Sequence, residues 1–232
     1  MVKVMRNPRG RVGIAAAGAC ALALGAAGLA WAVPPPIVAV DSNDFAAEVY
    51  DIDQGERPTF QNNEVGIPHN VTATGRIGGG PLFRSATITG VNSAQADGTQ
   101  YLTQGSYAFI CSIHPNMQAT LQVSGAGTPV ARPRIAVKIL TGKLKRVRKR
   151  GRVAVRIRAF TQSNGASLRL TLANRFAGRR AGINLAAGQS RRVVIKLTKK
   201  ARKRLARRRR AKAVLVGSVP FGAKARASRV LK

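Results

Sequence analysis

Residues Tyr107–Met117 read YAFICSIHPNM, and a cysteine, a histidine and a methionine follow one another at intervals of three, at Cys111, His114 and Met117. The three side chains fall on one short loop. All three are soft or borderline metal ligands. Each alone is more often a surface histidine or a core methionine than a ligand.

The rest of the chain gives the loop its weight. The chain has 232 residues and a formal net charge of +32, but the charge is segregated. Residues 1–32 hold four basic residues and no acidic one. Residues 33–128 hold three basic residues and all eight acidic ones. Residues 129–232 hold the remaining 33 Lys and Arg with no Asp or Glu. A shift of this size marks a boundary between an acidic module and a basic one. With 45% hydrophobic residues, both modules can build a core.

The N-terminus has the pattern of an export signal over residues 1–32. A basic opening, "MVKVMRNPRGR", precedes an uncharged run, and Ala30 and Ala32 offer small residues for cleavage before Val33. The protein is therefore expected in the periplasm, the cell envelope or the extracellular space. If uncleaved, residues 12–33 form a membrane anchor. Cleavage removes Cys20, Met1 and Met5. The mature chain then keeps two histidines, His69 and His114, one cysteine, Cys111, and one methionine, Met117. A single exported thiol can form no disulfide within its chain, and a bound metal would protect it. One thiolate, two imidazoles and a thioether suit copper; structural zinc sites prefer more cysteines.

The segments "IPHNVTATG" (from Ile67), "GSYAFICSIHPNM" (from Gly105) and "QATLQVSG" (from Gln118) resemble the cupredoxins, the small blue copper proteins. Cys-x2-His-x2-Met is similar to the short ligand loop of amicyanin, and plastocyanin has two more residues before its Met. The resemblance covers roughly Ile37 to Ser124. It implies a Greek-key β-sandwich holding one type 1 copper, with His69, Cys111 and His114 as equatorial ligands and Met117 as the axial one. It implies that Asn70 and Ser112 join the two ligand-bearing segments, and that an edge of His114 serves as the electron port. Tyr107 and Phe109 are expected in the core.

No Ser-His-Asp set, Walker loop or dinucleotide glycine motif is present, and no histidine remains for a second copper centre. The expectation is an electron carrier and not an enzyme, with a redox partner protein and no small-molecule substrate. A copper storage, delivery or resistance protein shares the same ligands. A structural envelope-binding protein is a third reading. "GRIGGGPLF" (Gly75–Phe83) reads as a flexible loop.

Residues 125–134 read as a Gly/Pro linker. Beyond it, "IAVKIL", "VAVRIRAF", "SLRLTLA", "RRVVIKL" and "KAVLVGSV" alternate apolar and polar residues, predicting a second β-sandwich over 135–232. "TKKARKRLARRRRAK" reads as one short basic helix between strands. The whole is similar to basic Ig-like modules of exported bacterial proteins. The fold class is thus all-β, with domains at 33–124 and 135–232. A basic module implies an anionic partner such as an envelope polymer or lipid headgroups. Nucleic acid is disfavoured, because no aromatics are interleaved for base stacking.

Overall fold

The computed structural model describes residues 33–232, which form one compact unit. The export signal expected over residues 1–32 lies outside the described residues. Among those described, no helix is long and apolar enough to cross a membrane.

The N-terminal half begins with β1 (Ile37–Val40), β2 (Asp44–Phe45), β3 (Val49–Gln54) and β4 (Thr59–Asn62). Short strands follow: β5 (Pro68–His69), β6 (Thr72–Ala73), β7 (Arg76–Ile77), β8 (Gly80–Pro81), β9 (Ile88–Thr89) and β10 (Asn92–Gln95). The half closes with β11 (Gly105–Ile110) and β12 (Gln118–Gly127). Two four-stranded sheets result, ordered β10-β4-β1-β2 and β3-β12-β11-β6. Both are mixed, since β1 runs parallel to β4 and β12 parallel to β3.

Alternation explains why the sheets pack face to face. In β12, Ala119, Leu121 and Val123 are buried while Gln118 is exposed. Ile37 and Phe60 from the first sheet share one core with Ile52, Phe109 and Leu121 from the second. Phe109 sits at its centre, with its ring 4.9 Å from Phe45 in an edge-to-face arrangement and 6.1 Å from both Tyr50 and Phe83. Phe109 is fully buried and Tyr107 partly so, with the Tyr107 hydroxyl donating to the Thr103 carbonyl at 2.9 Å.

Two local expectations change. The glycine run is not a flexible loop but a hairpin, in which β7 and β8 pair across a turn at Gly78–Gly79. Both turn residues have positive φ, 60° and 88°, as the tightest two-residue hairpin turn requires. A Cβ at Gly78 would also lie 2.2 Å from the Gly222 carbonyl oxygen, so the hairpin tip rests against the C-terminal half. Residues 125–127 do not begin a linker, because β12 continues to Gly127, which pairs with Gln54. Arg132 then fixes the connection by donating to the Tyr101 carbonyl at 2.9 Å and to the Phe221 carbonyl at 3.2 Å. Burial lowers the pKa of this guanidinium from its ordinary value.

The C-terminal half contains β13 (Ile135–Ile139), α1 (Leu144–Arg150), β14 (Arg152–Ala159), β15 (Ser163–Leu172) and β16 (Arg175–Leu185). It ends with β17 (Ser190–Lys196), α2 (Lys199–Ala206), β18 (Ala211–Ser218) and β19 (Ala225–Leu231). Its sheets are ordered β13-β14-β17 and β16-β15-β18-β19, and all their pairings are antiparallel. Val153, Val155 and Ile157 meet Leu168, Leu170 and Leu215 in a second, separate core. The expected basic helix is α2, capped by the Thr198 hydroxyl accepting from Ala201 N at 3.2 Å. Ala201 and Leu205, four apart, are its buried residues. A second helix, α1, accompanies it, burying Leu144 and Val147 and ending at Gly151 with φ 59°.

Truncating the central aromatic should unfold the N-terminal half first. Phe109→Ala should cost about 3–5 kcal/mol. The chain's three tyrosines, Tyr50, Tyr101 and Tyr107, all lie in this half. A denaturant titration followed by tyrosine emission should therefore show an earlier midpoint; an unchanged midpoint would remove Phe109 from the core's centre.

Candidate metal centre

Three elements converge at one end of the N-terminal sandwich. His69 is the last residue of β5 and pairs with Ile88 of β9. Cys111 follows β11 directly, and the turn to β12 carries His114 and Met117. That turn is closed by its own backbone: Met117 N donates to the His114 carbonyl at 2.9 Å, and Cys111 N donates to the Met117 carbonyl at 3.1 Å. A loop so short is stiff, and it keeps Cys111 Sγ 3.8 Å from His114 Nδ1.

Cys111 Sγ lies 3.8 Å from Nδ1 of both His69 and His114, and the two Nδ1 atoms are 3.2 Å apart. A triangle with these edges has a circumradius of about 2.1 Å, and metal–imidazole bonds measure about 2.0–2.1 Å. An ion at bonding distance from all three atoms therefore fits close to their plane. Trigonal His2Cys with a weak thioether beside it is a copper preference. The donors are dry: His69 and Cys111 are fully buried, Met117 is 1% exposed, and His114 is half-buried. The residues present therefore fit copper in donor type, donor spacing and burial.

The segments that carry His69 and Cys111 are joined by one side chain. Asn70 Nδ2 donates to Ser112 Oγ at 3.0 Å, and Ser112 N donates to Asn70 Oδ1 at 3.0 Å. The remaining Asn70 capacity is also used, with Nδ2 donating to Thr87 Oγ1 at 3.1 Å and Oδ1 accepting from Thr72 Oγ1 at 3.0 Å. Asn70 is 3% exposed, so each of these bonds replaces water it would otherwise lack.

Sequence reasoning missed Glu64. Its carboxylate lies 2.8 Å from His69 Nε2. A neutral His69 with its proton on Nε2 donates to Glu64 and leaves the Nδ1 lone pair facing Cys111 and His114. Buried Asn62 sets this up, since its Nδ2 donates to the carbonyls of Ile67 and Ile88 and its Oδ1 accepts from Glu64 N. One signal was available: Glu64 is the acidic residue nearest to either histidine in sequence. The five-residue separation gave no reason to expect contact.

Solved structures similar to this chain include a reduced amicyanin variant, 21% identical over 38% of this chain and 82% of that one, with a TM-score of 0.32. A purple cupredoxin from Nitrosopumilus maritimus is 20% identical over 39% of this chain and 99% of that one, with a TM-score of 0.32. A copper-containing nitrite reductase from Thermus scotoductus is 25% identical over 39% of this chain but 22% of that one, with a TM-score of 0.33. No family model and no curated protein matches the chain.

Glu64 supplies a test of how His69 is held. Glu64→Gln keeps the size of the side chain but removes the charge that faces His69 Nε2. Cu(II) affinity should fall by about 10–100-fold, measured by competition with a chelator. The midpoint potential should rise, because a carboxylate near the site favours the more oxidised ion. Unchanged affinity and potential would reduce Glu64 to a surface residue.

Proposed function

We propose that the protein is an exported blue copper protein that carries single electrons, with His69, Cys111 and His114 as equatorial ligands and Met117 as the axial one. The observation that carries this reading is the triangle of two imidazole nitrogens and one cysteine sulfur, largely buried, whose circumcentre lies at metal-bonding distance from all three. Copper held there supplies one-electron redox chemistry, cycling between Cu(I) and Cu(II).

The chain's own residues serve that chemistry by keeping still. Asn70 fixes the Cys111 loop against the His69 segment, Glu64 fixes the His69 ring, and two backbone bonds fix the turn around His114. Ligands that stay put on electron gain and loss keep the reorganisation cost low. His114 is the one ligand with an edge towards solvent, and it is flanked by exposed Pro115 and by Ile113, which is 42% exposed. An apolar rim around a ligand edge gives a partner protein a dry surface to dock on, and serves as the electron port. Export is supported by the sequence of residues 1–32.

Burial favours a carrier over a protein that stores or delivers copper. A delivery site must give its ion to an acceptor, which needs ligands that an incoming thiol or imidazole can reach. Here two of the equatorial donors are fully buried and the third is half-buried. A carrier and not an enzyme is also the reading the histidine count supports, with two in the whole chain and both in this site.

Copper-loaded protein should show the intense visible thiolate-to-Cu(II) absorption and a narrow parallel hyperfine splitting by EPR. Cys111→Ser should abolish the band. Reversible voltammetry with fast self-exchange is expected of the wild type. A colourless Cu(II) adduct, or Cu(I) passed readily to a small chelating acceptor, would sink the carrier reading.

A further inference from the structure

Of the many cations in the C-terminal half, one group has structural work. Arg148 donates to the Leu205 carbonyl, Arg204 to the Phe176 carbonyl, and Arg229 to the carbonyls of Ile139 and Leu140. Arg134 and Arg158 lie over the Phe160 ring, and Arg169 over that of Phe176. A second group has none. Arg152, Arg179, Arg180, Arg191, Arg192 and Lys196 line a groove of about 570 Å3. None of these six makes a side-chain hydrogen bond, an ion pair or an aromatic contact among the described residues.

The groove's position follows from the topology. β17 is an edge strand of the three-stranded sheet and β16 an edge strand of the four-stranded one. They come together where Thr198 N donates to the Ala177 carbonyl at 2.9 Å and where Gly178 leaves no room for a Cβ against the Lys196 carbonyl. The arginines from both edges flank the groove that opens beyond this contact. A second cleft of about 270 Å3 adjoins it, sharing Arg152, Arg192 and Val194 and adding Arg146 and Arg150 from α1. The result is a continuous track of seven arginines and one lysine with no acidic residue in its lining.

We propose that this track binds a linear, base-free phosphodiester polymer, an extended anionic chain laid along the open edge of the sandwich. Charge gives the sign, and side-chain type gives the chemistry. Arginine's planar fork takes two oxygens of one phosphate, whereas a lysine offers a point charge. Position favours a single chain over a duplex, because the groove runs along two strand edges and not across a broad face. Stacking disfavours a ligand read by its bases: Phe176 is the one ring near the track, in the cleft that shares Arg179 and Arg180, and Arg169 already lies over it, so no row of free rings is offered. A flat bilayer would meet a face and not a groove, and would gain nothing from cations placed inside one. The proposal is independent of the copper reading.

The test uses the full mature chain and a fluorescein-labelled glycerol-phosphate dodecamer, followed by anisotropy at several salt concentrations. Replacing Arg179, Arg180, Arg191 and Arg192 together by Gln should weaken binding at least tenfold at low salt. The slope of log affinity against log salt should become shallower by about 2 to 3, given roughly 0.7 per phosphate contact on a single chain. The pair Arg191→Gln and Arg192→Gln alone should show about half that loss of slope, and serves if the fourfold variant does not fold. Arg207, Arg208, Arg209 and Arg210 are exposed and lie outside the track. Replacing those four by Gln removes the same charge and should change affinity less than threefold.

Equal weakening by the two fourfold variants would overturn the proposal in favour of diffuse surface charge. Unchanged dodecamer binding by the track variants would leave the arginines as guards against edge-to-edge strand pairing, and would also overturn it. Oligothymidylate of equal charge should bind no more tightly than the dodecamer. Tenfold tighter binding would point to nucleic acid instead. Tighter binding to phosphatidylglycerol vesicles, insensitive to the track variants, would point to a membrane.

Discussion

One amide side chain joins the two strand ends on which the metal centre depends. Asn70 spends all four of its hydrogen-bonding positions, two on Ser112 and one each on Thr72 and Thr87. It thereby locks the residue after His69 to the residue after Cys111, 42 positions further along the chain. The His69 segment has little regular structure of its own to hold it, since β5 and β6 are two residues each, and Asn70 ties it to the end of the longer β11. Removing this link would leave buried donors and acceptors unmatched on both segments, at about 1–3 kcal/mol for each such group. Unmatched groups would also let the two rings and the thiol drift from their 3.2–3.8 Å spacing.

The same logic extends outward in layers. His69 is held at Nε2 by Glu64, Glu64 is placed by Asn62, and Asn62 is itself buried with its amide donating to two carbonyls. On the other side, the turn from Cys111 to Met117 is pinned by backbone bonds and begins where Phe109 anchors β11 in the core. Among the described residues, no buried side-chain polar atom lacks a partner. A site built this way resists rearrangement, which suits electron exchange and opposes release of a bound ion.

What the sequence makes legible follows the range of each interaction. Cys111, His114 and Met117 can be read because they share one turn, and His69 because it is the chain's other histidine. Asn70 and Ser112 can be read only through the cupredoxin resemblance, since nothing local in either residue points across 42 positions. Proximity in sequence hinted at Glu64, but its contact depends on the path of residues 62–67, where Asn62 bonds both Glu64 N and the Ile67 carbonyl. Alternation exposed β13, β14, β15, β17 and β18. β16 escaped because Arg179, Arg180 and Gly182 interrupt its pattern, and its pairing with β15 shifts register three times between Ser163 and Thr171. α1 escaped because two buried residues three apart are too few to establish a period.

The basic half must fold against its own charge. Lys138, Arg156 and Arg192 stand directly opposite one another across β13, β14 and β17, and Arg152 stands opposite Lys196. Like charges so placed oppose pairing, by about 0.2–1 kcal/mol for each pair. With no acidic residue within the half, only the core and dissolved ions offset this. Salt screens it over a Debye length of about 8 Å at physiological strength. A polyanion in the adjoining track would remove it more completely, because its charge stays at contact distance. Whatever binds the folded state and not the unfolded one stabilises the fold by mass action. Were the proposed chain to bind there, relief of the repulsion at Arg152, Arg192 and Lys196 would add to its affinity.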